Sequence, residues 1–357
     1  MELPTQMGGI SEPTVIRQLR VGIVGVGYGQ HVHVPAFRSD RRVSVDAICA
    51  STVGRAQAVA ERLGIPRAFG DWRELVSDPQ LDIVSISVPP LLQAEIAVAA
   101  AAAGKHVLAE KPLATSTADA RRMAESVQGA HVVGAVDFEF REILAFLKAR
   151  SLLGEGAIGR LRHVYLTWRV ETLAHREGKT SWKREPHLGG GTLNLFGSHA
   201  LDFVLWTFGD VRRVSARLWT PGQGGADSRA EAWMEIGDGL PVSMSLASDM
   251  PQGSGYRVEI YGDNGSLTLE NSTSDYATGF VLTLRRPGES SRVVEVAALP
   301  EGTDGRIAAT AGIVRRFLDA VETGGAASPD FEDGLRVQRL IDAIREADRV
   351  GTWQNLS

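Results

Sequence analysis

Short apolar runs alternate with helix-forming stretches over the first 137 residues of the chain. The runs are rich in Val, Ile and Leu and predict strands at residues 19–24, 43–49, 81–88, 106–109 and 131–136. The stretches between them predict helices at residues 55–63, 94–103 and 117–126, and Gly64 is placed to cap the first of these. Strands that alternate with helices in this way form crossover units around a parallel sheet.

The pattern changes after residue 160. Runs of strand type are now separated by Gly, Pro and Asp turns, and they cover residues 162–170, 211–219, 231–236, 242–247, 257–261, 266–269 and 281–285. Two helical stretches, 307–322 and 334–350, close the chain. Such a succession is typical of a mostly antiparallel sheet, so this part is predicted to be an open sheet within an α+β domain.

A glycine turn follows the first predicted strand. Gly25 allows a tight turn, and Gly27 leaves room for phosphates at the start of the next helix. The third glycine of the usual G-x-G-x-x-G pattern is replaced by Gln30, and Gly29 stands one residue earlier. The position after a strand favours a dinucleotide site with Gly25, Gly27, Tyr28 and Gln30 in contact with the cofactor, although an ordinary strand-to-helix turn is the alternative.

The residues after the second strand bear on the choice of cofactor. Chains that bind NAD usually place a carboxylate there for the ribose hydroxyls, whereas this chain has Ser51, Thr52 and Arg55. Hydroxyls and a guanidinium suit a 2′-phosphate, so NADP(H) is favoured over NAD(H). Arg55 could instead be an exposed residue of the next helix.

The segment from Gly104 to Pro112 carries the candidate chemistry. A buried strand delivers Glu110-Lys111-Pro112 to the carboxyl edge of the sheet, where folds of this type bind ligands. Hydride transfer between a nicotinamide and a carbonyl builds negative charge on oxygen, and a lysine there can donate a proton or hold that charge. Lys111 is therefore the first candidate for a catalytic residue, and a surface lysine is the alternative.

Several motifs together resemble the glucose-fructose oxidoreductase / inositol dehydrogenase / rhizopine catabolism (Gfo/Idh/MocA) family. They are the glycine turn, Ser87-Val88-Pro89-Pro90, Gly104-Lys-His-Val, Glu110-Lys111-Pro112, the segment from Gly189 to Asp202, and Phe331-Glu-Asp-Gly334-Leu. The resemblance implies a Rossmann domain over residues 20–137, a substrate-binding and oligomerisation domain over 138–357, and a flexible tail at 1–19. It also implies that Lys111 and His199 are the catalytic residues.

The implied reaction is hydride transfer between a nicotinamide and a hydroxyl or keto carbon of a sugar, nucleotide sugar or cyclitol. Two alternatives stay open: a glycosidase or epimerase that retains its cofactor, and a non-catalytic, ligand-sensing member. Pro89, Gln93 and Glu110 are expected on the cofactor side. Arg141, Trp182 and Asn194 are expected, with His199, on the substrate side. Arg141 could instead be an exposed residue at the start of a helix, and Trp182 could serve packing alone.

The chain departs from the family pattern in one important place. Many relatives carry an aspartate four residues before the histidine, and this chain has Leu195 there. Asp202 lies within i,i+3 reach of His199 and could orient the imidazole, or could serve only helix packing. His33 is expected to be a packed histidine.

Composition bears on the number of domains, the possible partners and the location of the protein. The 357 residues, 43% hydrophobic and 23% charged with a net charge of −5, predict two globular domains and argue against a nucleic-acid partner. The single cysteine, Cys49, rules out an internal disulfide, and no His/Asp/Glu grouping has spacing typical of a metal site. With no apolar signal core and no apolar run long enough to span a membrane, a cytoplasmic location is expected. The open sheet of the second domain offers a face for oligomerisation, so a homodimer or homotetramer is expected.

Overall fold

The structure is a computed structural model in which residues 17–177, 181–222 and 224–356 are described. Most of the predicted tail, residues 1–19, lies outside the described residues. Its last part is anchored, because Arg17 Nη2 donates to Asp82 Oδ1 at 2.5 Å.

The first sheet has six parallel strands: β1 (Leu19–Val24), β2 (Val43–Cys49), β3 (Arg67–Phe69), β4 (Ile83–Ile86), β5 (His106–Ala109) and β6 (Gly134–Val136). Their order is β3-β2-β1-β4-β5-β6, and every neighbouring pair is parallel. This confirms the α/β fold class with a Rossmann-type parallel sheet.

Helices cover both faces of this sheet. They are α1 (Val34–Arg38), α2 (Val53–Leu63), α3 (Trp72–Ser77), α4 (Pro90–Ala102) and α5 (Thr117–Gly129). One apolar cluster joins α3, α4 and α5 to the sheet, and a second joins α1 and α2 to the opposite face. The strand side chains are buried on both sides, which explains their near-continuous apolar runs.

The second sheet has nine strands and is confirmed as mostly antiparallel. It contains β7 (Leu161–Arg169), β8 (Val211–Trp219), β9 (Arg229–Ile236), β10 (Leu240–Ala247), β11 (Gly255–Gly262), β12 (Gly265–Asn271), β13 (Val281–Arg285), β14 (Arg292–Val294) and β15 (Gln354–Asn355). The order is β14-β13-β12-β11-β7-β10-β9-β8-β15, with β7 and β10 as the parallel pair. The helices of this half are α6 (Leu144–Gly154), α7 (Leu173–Arg176), α8 (Ser198–Phe208), α9 (Gly305–Thr323) and α10 (Phe331–Val350).

The chain returns to the first sheet near its end. Ile313, Val314 and Phe317 of α9 belong to the same apolar cluster as Val21 and Phe37, so α9 completes the face covered by α1 and α2. α10 packs between α5, α8 and β8. The division at residue 137 stays a prediction, and α9, which lies beyond that residue in the chain, packs on the first sheet.

Local capping explains where the helix boundaries differ from the predicted ones. α2 begins at Val53 because the Thr52 hydroxyl accepts from the backbone N–H of Arg55, and α10 begins at Phe331 because Asp330 and Asp333 form a capping box. α4 begins at Pro90, a residue suited to the first helical position. Within residues 17–177, 181–222 and 224–356, no helix combines the length and apolar character needed to cross a lipid bilayer.

Candidate active site

The glycine turn shapes the end of β1. Gly25 has φ +115°, and a Cβ there would lie 2.0 Å from the Ser87 carbonyl oxygen. A Cβ on Gly29 would lie 3.1 Å from Ile23 Cγ2, so Gly29 provides the close helix-to-strand packing usually given by the third glycine. A Cβ on Gly27 would meet nothing within 4 Å. Gly25 is therefore required by the backbone, Gly29 lies in a tightly packed position, and Gly27 faces open space.

That open space is a cavity of about 1310 Å³ at the carboxyl edge of the first sheet. Residues from both sheets line it. Of the predicted site residues, the lining includes Gly25, Gly27, Tyr28, Ser51, Arg55, Pro89, Glu110, Lys111, Trp182 and His199. Cys49 also lines it, but burial raises the pKa of its thiol to about 11, which keeps the sulfur protonated and unreactive.

Lys111 extends from the loop after β5 toward the second half of the chain. Its Nζ donates to the backbone oxygen of Leu195 at 3.2 Å, at the position where relatives were expected to carry an aspartate. The loop is fixed from behind by Gln93, whose Nε2 donates to the oxygens of Glu110 at 3.0 Å and Pro112 at 2.8 Å. The expectation that Gln93 lines the cofactor site is therefore wrong, because its side chain is fully buried beneath the loop.

A buried histidine supports the same loop. His33 Nε2 lies 2.9 Å from Glu110 Oε1 and 3.5 Å from Asp137 Oδ2, and its Nδ1 lies 2.7 Å from Ser85 Oγ. Burial alone would lower the pKa of His33, but Asp137 and Glu110 outweigh it and raise the pKa to about 10. These three acidic and basic groups lie close enough for a metal to be considered. Without a metal, the raised pKa makes the cluster an ion-pair network between a protonated imidazole and two carboxyl groups.

His199 enters the cavity from α8. Its ring stacks on Phe140 with centroids 4.3 Å apart, and only 3% of its side chain is exposed. Burial lowers the pKa of His199 well below its usual value, and the charge of Lys111 lowers it further. The imidazole is therefore neutral, and Nδ1 has no hydrogen-bond partner among the described residues.

Sequence reasoning missed Glu139, which faces His199. Glu139 Oε1 lies 3.7 Å from His199 Nε2, and its side chain is 4% exposed. Burial raises the pKa of Glu139 well above its usual value; Asp137 adds to this and Lys111 opposes it. The available signal was the alternation Asp137-Phe-Glu139-Phe-Arg141 directly after β6, since polar residues at a strand's carboxyl end often face a ligand.

The residue taken from that segment, Arg141, does not face the cavity. Its guanidinium is 6% exposed and pairs with Asp202 at 2.6 Å and with Asp333 at 2.9 Å. The predicted substrate contact of Arg141 is therefore wrong, because both acceptors hold it in the interior. The ion pair with Arg141 also corrects the expectation that Asp202 could orient His199, because the Asp202 carboxylate accepts hydrogen bonds from Arg141 instead.

Three further predicted contacts lie outside the lining of the cavity. Asn194 is fully buried; its Nδ2 donates to Gly189 O at 3.0 Å, and its Oδ1 accepts from Arg345 at 2.9 Å, so it braces the glycine segment. Gln30 donates back to Val26 O within the turn and accepts from Arg62. Thr52 caps α2. These side chains already bond backbone or neighbouring groups, so their contact with a ligand stays a prediction.

Other lining residues come from segments that sequence reasoning left without a role. Asp71, Trp72 and Arg73 follow β3 and lie on the same side as Ser51, and Arg73 lies 4.3 Å above the Trp72 ring. Tyr276 and Arg306 close the side near Glu139, and Arg306 pairs with Asp304 at 2.6 Å. The short strand β3 and the loop before α9 gave no pattern that would have indicated them.

The cavity suits a dinucleotide. Gly27 leaves it open beside the first strand, and His199 Nδ1 is a buried polar atom without a partner among the described residues. Its volume of about 1310 Å³ exceeds the roughly 300–1,000 Å³ of most small-molecule pockets, so it can hold a dinucleotide together with a small substrate.

Comparisons with known proteins agree with this geometry. The oxidoreductase family with an NAD-binding Rossmann fold (GFO_IDH_MocA) matches residues 19–138, and the GFO/IDH/MocA C-terminal domain matches residues 146–268. Levoglucosan dehydrogenase of Pseudarthrobacter phenanthrenivorans is 27% identical, covering 95% of this chain and 98% of the relative. D-xylose 1-dehydrogenase (NADP(+)) 2 of Haloferax volcanii is 28% identical, covering 92% and 97%.

Solved structures give the same result. Levoglucosan dehydrogenase in complex with NADH and levoglucosan superposes with a TM-score of 0.87 at 25% identity, covering 96% of this chain and 100% of the other. The two family matches and the full-length similarity cover both halves of the molecule. The chain therefore belongs to the Gfo/Idh/MocA family and is an NAD-binding oxidoreductase.

Proposed function

We propose that this protein catalyses reversible hydride transfer between NADP(H) and a hydroxyl or keto carbon of a sugar, nucleotide sugar or cyclitol. The observation that carries the proposal is that Lys111, His199 and the Gly25–Gly27 turn, which are distant in sequence, line one cavity. The relatives that act on levoglucosan and on D-xylose, and cover nearly the whole chain, favour a carbohydrate substrate.

The residues present can divide the chemistry between them. The bound nicotinamide would supply or accept the hydride. Lys111 would hold the substrate oxygen and stabilise the charge that develops on it, because the ammonium group reaches across the cavity to Leu195 O. His199, neutral and with Nδ1 free of partners among the described residues, would accept a hydrogen bond from a substrate hydroxyl. Trp182 offers a ring against which a sugar can pack.

The preference for NADP(H) rests on the groups around Ser51. Arg55 Nη1 donates to Ser51 Oγ at 3.0 Å, and both residues line the cavity. Arg73 lines it nearby, so two guanidinium groups border this region. Asp71 also borders it, but its carboxylate accepts from the backbone N–H of Arg73 at 2.9 Å as the cap of α3. A 2′-phosphate would meet donors and positive charge here.

The first experiment is thermal unfolding with NAD, NADH, NADP and NADPH measured in parallel. We expect the largest increase in midpoint with the phosphorylated pair, and Arg55→Ala should reduce that advantage. Equal shifts with all four nucleotides would remove the NADP preference, and no shift with any of them would remove the cofactor assignment.

The second experiment is turnover of a sugar and cyclitol panel with free cofactor. Lys111→Ala and His199→Ala should each lower kcat by roughly 10²- to 10⁴-fold, the usual contribution of a positioned acid or base. Full turnover in both variants would contradict the assigned roles. A tightly retained cofactor without net turnover would instead indicate a redox-assisted glycosidase or epimerase.

A cytoplasmic location stays a prediction.

A further inference from the structure

Glu139 occupies a place in the cavity that the proposed reaction has not yet used. It begins the short turn Glu139–Glu142 after β6 and lines the same cavity as Lys111 and His199. Its Oε1 lies 3.7 Å from His199 Nε2, slightly beyond hydrogen-bond distance and close enough for a proton to pass after a small movement.

The surroundings of Glu139 favour its protonated form. Two carboxyl groups, those of Asp137 and Glu110, raise its pKa, and Lys111 is the cation that opposes them. Glu110 is paired with His33 at 2.9 Å, and Asp137 accepts from Thr310 at 3.0 Å and lies 3.5 Å from His33. Among the described residues, Glu139 has no lysine or arginine within ion-pair distance. A buried carboxylate without a paired charge is costly, so Glu139 is more stable with a proton.

The other titratable groups of the cavity do not pair with Glu139. Burial keeps His199 neutral, and Lys111 reinforces this. Burial and the nearby acidic groups raise the pKa values of Tyr28 and Tyr276, so both phenols are neutral. Arg306 is already paired with Asp304, and Lys183 interacts with Lys111 and Glu110 while burial lowers its pKa. Glu139 is therefore expected to hold a proton in the free site.

We propose that Glu139 is the proton acceptor of the site: it gives up its proton when an oxidised, cationic nicotinamide binds, and takes one back through His199 when a substrate hydroxyl is oxidised. The proposal rests on the proposed function. It is specific to this chain's own geometry, because Leu195 provides no carboxylate and Glu139 reaches His199 from another element.

Atoms and electrons balance in the proposed proton and hydride transfer. Oxidation of a hydroxyl-bearing carbon breaks one C–H bond, whose hydride and electron pair pass to the nicotinamide, and one O–H bond. His199 Nδ1 takes the hydroxyl proton, and His199 Nε2 releases its own proton to Glu139 Oε1, while the C=O bond forms. In the reverse direction the same proton returns to the substrate oxygen.

Calorimetry of cofactor binding tests the proposal without a known substrate. Titration with NADP and NADPH at pH 7 in two buffers of different ionisation enthalpy gives the number of protons released. We expect wild type to release a large fraction of one proton with NADP and much less with NADPH. Glu139→Gln should bind NADPH with Kd within about threefold, bind NADP about tenfold more weakly, and release no excess proton with NADP, since the buried amide cannot titrate.

Two further variants guard against a folding artefact. Glu142 lies in the same turn, and its carboxylate pairs with Arg316 outside the cavity. The Glu142→Gln variant should therefore keep the proton release. Glu139→Asp restores a titratable carboxyl and should recover at least part of it. Equal release in wild type and Glu139→Gln, or equal release with both cofactors in wild type, would overturn the proposal. Failure of either cofactor to bind would contradict the proposed function itself.

Discussion

Arg141 shows how burial decides the role of a single charged residue. Its guanidinium pairs with Asp202 and Asp333 in the interior, and burial raises the pKa of Asp202 to about 6 even though Arg141 opposes the shift. The sequence pattern placed an arginine close to a substrate site, but it could not show that two carboxylates from distant elements would turn it inward.

Replacement of Arg141 should therefore affect folding before it affects catalysis. Arg141→Met leaves Asp202 buried without a counter-ion, and we expect a loss of about 3–5 kcal/mol in the free energy of unfolding, measured by urea denaturation. Arg122→Met, on the exposed surface of α5, is the control and should change stability little. An unchanged stability with a raised KM for substrate would restore Arg141 as a substrate-binding residue.

His33 should make stability depend on pH in alkaline solution. Its pKa is about 10 in the folded protein and near 6.5 when unfolded, so folding favours the protonated form. The resulting stabilisation is fully present below pH 6.5 and is lost as pH rises through about 10. The free energy of unfolding of wild type, measured in urea, should fall across this window by roughly a few kcal/mol.

The matched variant for this prediction is His33→Gln, which keeps a hydrogen-bonding side chain but has no proton to lose. Its free energy of unfolding should be lower than that of wild type near pH 6 and should change much less between pH 6.5 and 10. Parallel pH curves for the two proteins would show that another group, such as a lysine amine, causes the alkaline loss.

The candidate site could be predicted where a residue's role depends on its own segment. Lys111, the glycine turn and Ser51 lie directly at strand ends, so the local pattern places them at the ligand edge. Gln93, Asn194 and Glu139 could not be placed this way. Their roles depend on which backbone carbonyl or imidazole from another element lies beside them, and a single sequence does not contain that information.

The turn between β1 and the following helix is the element in which sequence and function are most closely linked. Gly25 and Gly27 are both predicted to be needed, but the structure separates their reasons. A side chain on Gly25 would meet the Ser87 backbone oxygen at 2.0 Å in a left-handed conformation, whereas one on Gly27 would project into open cavity.

Alanine substitutions should separate folding from binding at this turn. Gly25→Ala should lower the unfolding temperature markedly, because both backbone strain and a clash must be relieved. Gly27→Ala should leave that temperature nearly unchanged and raise the Kd for the cofactor about tenfold or more. Calorimetric titration and thermal unfolding measure both effects, and a normal Kd in a folded Gly27→Ala would place the phosphates elsewhere.

At the same scale, strongly patterned elements were predictable and short ones were not. The five predicted strands of the first sheet all exist, although two are shorter than expected: β4 is Ile83–Ile86 and β6 is Gly134–Val136. β3, β14 and β15 have two or three residues each and leave no periodic signal. α9 was predicted as a helix, but its packing on the first sheet follows from tertiary contacts alone.

At the scale of the whole molecule, the second sheet has one covered face and one open face. Trp233, Ser243 and Tyr165 stand side by side in register on β9, β10 and β7, and Tyr165 meets Tyr261 of β11 with ring centroids 6.1 Å apart. Trp233 is 50% exposed, Tyr165 44% and Tyr261 40%. Aromatic side chains clustered on an exposed sheet are typical of a protein interface.

We therefore expect the protein to form a homodimer or homotetramer through this open face. Trp233→Glu places a charge in the aromatic row and should shift the mass measured by light scattering toward the monomer, because an isologous interface receives the change twice. Val53→Glu, at an exposed site on α2, is the control and should leave the mass unchanged. A monomeric wild type, or an oligomer insensitive to Trp233→Glu, would show that these aromatic residues serve another purpose.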